Sequence, residues 1–278
     1  MLNVSTLQGH ASRAVDDVAP WIERLARLGF AAKAVLYMTV GALAARAALG
    51  LGGNATPDSR AAMRSLLEQS YGRVLVGIVA IGLIGYAAWR IVEGVKDPER
   101  RGRGAKGIAM RARSIGTGIL HAGLALSAVR LAMYQADSGG GQQKSWAARA
   151  LATPGGEIAL WGVALALMGY GVYQIYKGVK AKLDKRLTLG RMSYRARHAL
   201  VAVSRFGIAA RGVVFGAVGL LIMRAAQQHD PNEAGGIREA LRELIALGQW
   251  PFVAISVGLI AYGVYQLIEA RYRRIHVS

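Results

Sequence analysis

The sequence contains no cysteine, which removes disulfides, thiolate nucleophiles and cysteine-ligated metals together. Proline is scarce, and all six (Pro20, Pro57, Pro98, Pro154, Pro231, Pro251) fall in loops or at the ends of apolar runs. No run therefore carries the proline break that many transporters use. Acid is scarce as well, with 16 Asp plus Glu against 35 Lys plus Arg. The acids fall in loops, in tails or at run boundaries such as Glu93, Glu157 and Glu269. Coupled proton transport usually relies on a buried carboxylate or histidine, so this distribution argues against a proton-driven pump. The five histidines never pair at i, i+4, and neither a Gly-x-Ser-x-Gly elbow nor a phosphate-binding loop occurs. A non-enzymatic protein without a cofactor or metal is the expectation. Asp16, Asp17 and Glu23 occupy positions where a signal peptide would be apolar, so the first span is expected to direct insertion itself.

What the sequence does contain, it contains three times. Gly85 to Lys96, GYAAWRIVEGVK, recurs as GYGVYQIYKGVK (Gly169 to Lys180) and as AYGVYQLIEARY (Ala261 to Tyr272). A shift of 84 residues carries Arg27 onto Arg111, Arg46 onto Arg130 and Tyr86 onto Tyr170 without a gap. The third copy shifts Arg27 to Arg205 by 178 but Tyr86 to Tyr262 by 176, so its inner loop is two residues shorter. Tandem repetition of this kind sets an architecture before any local assignment.

The solvent follows from composition. The chain is 53% hydrophobic yet carries a net charge of +19, a combination that requires charge and apolar surface to be segregated along the chain. Six stretches, 28–45, 74–92, 114–130, 158–176, 206–223 and 251–268, are almost wholly apolar. Each holds roughly 17 to 20 residues, enough at about 1.5 Å per residue to cross a hydrocarbon core of about 30 Å as a helix. A helix satisfies every backbone hydrogen bond within itself, as lipid demands.

Charge orients the spans. The tails and the connections after even-numbered spans hold 22 Lys plus Arg, whereas the three connections inside the repeats hold 6, with 8 acids. Basic flanks stay cytoplasmic, so both termini are expected in the cytoplasm with the intra-repeat loops outside. Blocks such as Arg100 to Lys106 lie in short loops without interleaved aromatics. They read as orientation signals that also attract anionic inner-leaflet headgroups, not as a nucleic-acid surface. The outer loops carry amphipathic stretches: Ala62, Met63, Leu66 and Leu67, their counterparts Trp146, Ala147, Ala150 and Leu151, and Ile237, Ala240, Leu241, Leu244 and Ile245. These predict short helices on the outer surface or capping the bundle.

Three residues inside spans are candidates for ligand binding. Lys33 and Arg211 are repeat equivalents, six residues or about 9 Å beyond the boundary arginines Arg27 and Arg205. They either snorkel to the cytoplasmic interface along their aliphatic stems or line an internal site for an anion, lipid headgroup or carbonyl-rich ligand. His121 stands where the other copies have Tyr37 and Phe215, and a packed, hydrogen-bonded histidine is the preferred reading over a proton relay. Tyr86 with Trp89, Tyr170 with Tyr173 and Tyr262 with Tyr265 read as interfacial anchors near span ends. The glycines at small-residue spacing, including Gly82, Gly85, Gly169, Gly212 and Gly216, read as sites of close helix packing.

The Arg-x-Gly start of odd spans, the Gly72-Arg73 start of an even span and the exit Gly169 to Gln174 together resemble the bacterial membrane family called domain of unknown function 1206, over about residues 24 to 272. The resemblance implies a six-span topology and a bacterial inner-membrane location and carries over no site. The second copy departs from the repeat pattern at Ile115, Thr117 and Glu157. The expected fold is all-α and polytopic: six transmembrane helices as three parallel two-span repeats in a pseudo-threefold arrangement. An amino tail over 1–23 precedes repeats over 24–104, 105–190 and 191–274. The function these features favour is binding of membrane lipid, including anionic headgroups at the cytoplasmic face, or of a protein partner. A channel or carrier for a small anionic solute is the alternative.

Overall fold

A computed structural model of the chain describes residues 4–51, 58–97, 104–134, 142–180 and 193–272. Arg100–Arg103, Pro57, Pro98, His276 and the expected boundary between 190 and 191 lie outside the described residues, as do the side chains of most of the amino tail. The described chain is helical: α1 (Val4–Ala48), α2 (Ser59–Leu67), α3 (Gly72–Lys96), α4 (Ala105–Tyr134), α5 (Gln142–Leu151), α6 (Gly156–Lys180), α7 (Tyr194–Gln228), a short 3-10 turn (Pro231–Glu233), α8 (Ile237–Ile245) and α9 (Gln249–Tyr272). Six helices, α1, α3, α4, α6, α7 and α9, are long and apolar enough to cross a membrane, and they contain the six apolar runs. The three amphipathic stretches form α2, α5 and α8, each joining the two spans of one repeat. Asp58 starts α2 by accepting from Ala61 N–H at 2.6 Å, and the Glu239 side chain accepts from Gly236 N–H at 2.8 Å to start α8. Both satisfy first-turn donors that a helix leaves unpaired.

The repeats interlock rather than stand side by side. The even span of each repeat packs on the odd span of the next: α3 on α4, α6 on α7, and α9 back on α1. This cyclic closure is the pseudo-threefold arrangement. One arginine per repeat ties it together at the end of the bundle that carries the termini. Arg27 donates to the carbonyls of Ala270 (2.8 Å) and Arg271 (2.9 Å), Arg111 to those of Gly94 (2.8 Å) and Val95 (2.9 Å), and Arg205 to that of Gly178 (2.7 Å). A guanidinium at a helix C-terminus satisfies orphan carbonyls and complements the helix dipole. Small residues let the paired backbones meet. A Cβ on Gly94 would lie 2.8 Å from Arg111 O, and one on Gly178 would lie 2.7 Å from Arg205 O.

Within a repeat, the two spans meet in the first and third copies only. α1 packs on α3 and α7 on α9, while α4 and α6 have no such packing along their described lengths. A column of equivalent positions explains the difference. Cβ atoms on Gly29 and Gly207 would fall 2.4 Å from Tyr86 Cβ and 2.3 Å from Tyr262 N, so each glycine admits the partner helix. The equivalent residue of the second repeat is Arg113, which has no room for such an approach. One turn on, Ala32 faces Gly82 and Ala210 faces Gly258, but their equivalents Gly116 and Ala166 are exposed. Only 28% of the α4 span and 22% of the α6 span is buried, against at least 50% in the other four. The ring of six spans is thus parted between α4 and α6. The glycine expectation divides accordingly: Gly82 and Gly212 are packing sites, and Gly216 N would lie 2.8 Å from a Cβ on Gly171, whereas a side chain at Gly169 would meet open space.

The bundle is layered. Toward the loop helices its interior is apolar, with Val40, Ala44, Met63, Val76, Leu241, Leu244 and Phe252 in one buried cluster capped by α2 and α8. Toward the termini the interior turns polar.

Candidate functional site

The polar layer is built from Lys33, Tyr37, Tyr86, Arg90, Glu93, His121, Tyr170, Arg211 and Tyr262. Lys33 is 4% exposed and Arg211 8%, so neither snorkels. The physical reason is that the interior offers both cations hydroxyl acceptors and aromatic faces. Lys33 Nζ donates to Tyr86 Oη at 3.0 Å and lies 4.2 Å from the centroid of that ring. Arg211 Nε donates to Tyr37 Oη at 3.0 Å, and its Nη1 donates to Tyr170 Oη at 2.9 Å. Its guanidinium also lies 4.6 Å from the Phe215 ring centroid and 4.9 Å from that of Tyr262. Desolvated cation–π contacts contribute about 2 kcal/mol each. Arg211 therefore joins an aromatic ring from each of the three repeats.

Two sequence expectations are corrected. The tyrosines are not headgroup anchors: Tyr86 and Tyr262 are buried, as are Trp89 and Tyr265, and Tyr170 is half-buried with its hydroxyl on Arg211. Only Tyr173 of the six lies exposed. Helix facing, which places the exit motif against the neighbouring repeat, outweighs sequence distance from the span end. Nor does acid at a span boundary stay outside the interior. Glu93 is completely buried and accepts from Arg90 Nη1 and, at 3.4 Å, from Ser114 Oγ of the next repeat. Arg90 Nε also donates to Tyr86 Oη at 2.8 Å, so this hydroxyl accepts from two cations.

His121 completes the layer from α4. Its ring is tilted against Tyr86 with centroids 4.7 Å apart, and its Nδ1 lies 2.8 Å from Thr117 O. A carbonyl only accepts, so this contact places the proton on Nδ1. The structure thus brings Lys33, Arg211 and His121 into one layer and adds four tyrosines and the Arg90–Glu93 pair, which sequence reasoning missed. A signal was present: the tyrosine of the exit motif stands in every copy, and four residues later come Arg90, Gln174 and Gln266, all on the same helix face.

Chemically the layer is a set of fixed donors. Glu93 is held by Arg90, whereas the hydrogen bonds of Lys33 and Arg211 run to phenols. A lysine ammonium has three donors and a guanidinium five. Burial of such groups without a carboxylate is costly, which makes an anion the natural complement. Among the described residues no cluster of three His, Asp or Glu forms a metal site.

Comparison with known proteins gives no activity to carry over. The chain is 29% identical to an uncharacterized protein, YxxB, of Bacillus subtilis (strain 168), over 95% of this chain and 96% of that one. No solved structure gives a significant match. The family described as Domain of Unknown Function (DUF1206) matches residues 28–97, 112–181 and 206–273, one match for each interlocking repeat. The chain, a membrane-type six-helix protein of three repeats, belongs to this family.

Proposed function

We propose that the protein is a non-enzymatic, multi-pass protein of the bacterial inner membrane, with both termini cytoplasmic, that binds the anionic headgroup of a membrane lipid in its polar layer. The observation that carries this reading is the burial of Lys33 and Arg211, both held by tyrosine hydroxyls. Depth supports it. The two cations lie about 9 Å by helical rise beyond Arg27 and Arg205, on the side where the basic loops place the cytoplasm. Basic pockets between helices at that level are suited to lipid phosphate. The apolar plug between this layer and the loop helices favours a site open to one side over a continuous pore.

Native mass spectrometry tests the reading. Protein purified from vesicles containing equal phosphatidylglycerol and phosphatidylcholine is expected to retain phosphatidylglycerol preferentially. The Lys33→Met/Arg211→Met protein is expected to lose that preference while eluting as a folded species. Equal retention by both proteins contradicts the proposal. Saturable anion uptake by vesicles containing the unmodified protein, abolished by the double substitution, assigns the site to a carrier instead.

A further inference from the structure

The parted seam between α4 and α6 has a chemistry of its own. In the first and third repeats this seam is closed by a glycine against a tyrosine-bearing helix, Gly29 on Tyr86 and Gly207 on Tyr262. In the second it is open, and Arg113 replaces the glycine. Arg113 is exposed, with its guanidinium carbon 5.2 Å from the Tyr170 ring centroid. The Tyr170 hydroxyl in turn accepts from buried Arg211. Tyr170 thereby meets two cations, exposed Arg113 and buried Arg211. The charge of the seam is one-sided. α4 carries no acid, and the only acid of α6 is Glu157 in its first turn, at the end nearest the loop helices, whereas Lys177 and Lys180 lie at the end nearest Arg113.

We propose that one phospholipid with an anionic headgroup occupies the cleft between α4 and α6. Its phosphate lies at Arg113 beside Tyr170, and an acyl chain lies along the exposed faces of Gly116 and Ala166. This deepens the proposed function, on which it rests, by naming the side from which the polar layer is reached and a lipid, not a free anion, as occupant. Geometry supports an acyl chain. Gly116 and Gly123 of α4 and Gly162 and Gly169 of α6 have nothing within 4 Å of where a Cβ would be. Depth supports the headgroup. Arg113 is two residues from Arg111, which ties down the C-terminal carbonyls of α3, so it sits at the level where a lipid phosphate rests. The Lys33 level is four residues deeper, about 6 Å by helical rise.

Phosphatidylglycerol bearing a photoactivatable diazirine on one acyl chain tests this in vesicles, with the crosslinked residues mapped by mass spectrometry. Crosslinks are expected to concentrate on α4 and α6. Gly116→Phe/Ala166→Phe fills the cleft at positions with free space, and Arg113→Gln removes the outer cation. Each is expected to lower retained phosphatidylglycerol at least threefold while leaving monodisperse elution and thermal unfolding unchanged. Crosslinks spread evenly around all six spans, or wild-type retention by both variants, overturn the cleft. If Lys33→Met/Arg211→Met still loses lipid in that case, the interior reading survives without it. A dimer in native mass spectrometry that Gly116→Phe/Ala166→Phe dissociates also overturns the proposal, because a second copy would then close the seam.

Discussion

Replacing Gly207 by Ala and Gly116 by Ala adds the same methyl to two helices of the same bundle, with opposite expected results. A Cβ at position 207 would fall 2.3 Å from Tyr262 N and 2.6 Å from Tyr262 Cα and Ala261 C, all backbone atoms of α9. A side chain could rotate away, but a helix backbone cannot, so α9 must retreat from α7. That retreat also shifts the Tyr262 ring, whose centroid lies 4.9 Å from the Arg211 guanidinium. Overpacking of this kind costs about 1–3 kcal/mol, against a gain in helix propensity of about 0.8–1 kcal/mol for Gly to Ala. The expected net loss is up to about 2 kcal/mol, with loosening of the Arg211 contacts in addition. At position 116 the methyl meets nothing within 4 Å, so only the propensity gain of up to about 1 kcal/mol remains. The two variants should therefore separate by roughly 1–3 kcal/mol, in equilibrium unfolding in detergent followed by tryptophan fluorescence. Equal stability of the two, or a loss at 116 matching that at 207, refutes the assignment of closed and open seams.

Further outcomes follow from the same contacts. Tyr86→Phe keeps the ring but removes the hydroxyl that accepts from Lys33 and Arg90; hydrogen bonds to charged groups contribute about 1.5–3 kcal/mol each, so unfolding should show a loss of about 3–6 kcal/mol, and a silent substitution would mean the cations do not depend on Tyr86. Arg205→Met removes the tie between α7 and the Gly178 carbonyl and should raise hydrogen exchange at the termini end of α6 while leaving the loop-helix end of α7 protected. Reporter fusions after Gly104 and Lys185 are expected to be cytoplasmic and those near Gly53, Gly140 and Gly235 external, and a cytoplasmic signal from the 131–157 loop would contradict both the span count and the repeat arrangement.

The spans, the loop helices and the threefold repetition were legible because a bilayer acts on a one-dimensional pattern. Apolar length sets the spans, and the i, i+1, i+4, i+5 spacing at Ala62, Met63, Leu66 and Leu67 sets α2. The interior of the bundle was not legible to the same depth, because distance along a helix says how deep a residue lies but not which way it faces. Tyr86 and Tyr173 both stand in the terminal halves of their spans, yet Tyr86 is buried and Tyr173 is 46% exposed. Glu93 lies three residues before the end of α3 and is nevertheless sealed against Ser114 of α4. The open seam was written in the column Gly29, Arg113, Gly207. Reading it required knowing that Gly29 and Gly207 serve the other span of their own repeat, whereas Gly94 and Gly178 serve the next repeat.

A cryo-electron microscopy map of the protein in nanodiscs of phosphatidylglycerol bears most directly on the interior site. The account predicts Lys33 and Arg211 turned inward onto Tyr86, Tyr37 and Tyr170, with phospholipid density between α4 and α6 whose headgroup meets Arg113 and approaches Arg211. Cations extended to the bundle surface, or a polar layer without such density under these conditions, would contradict it.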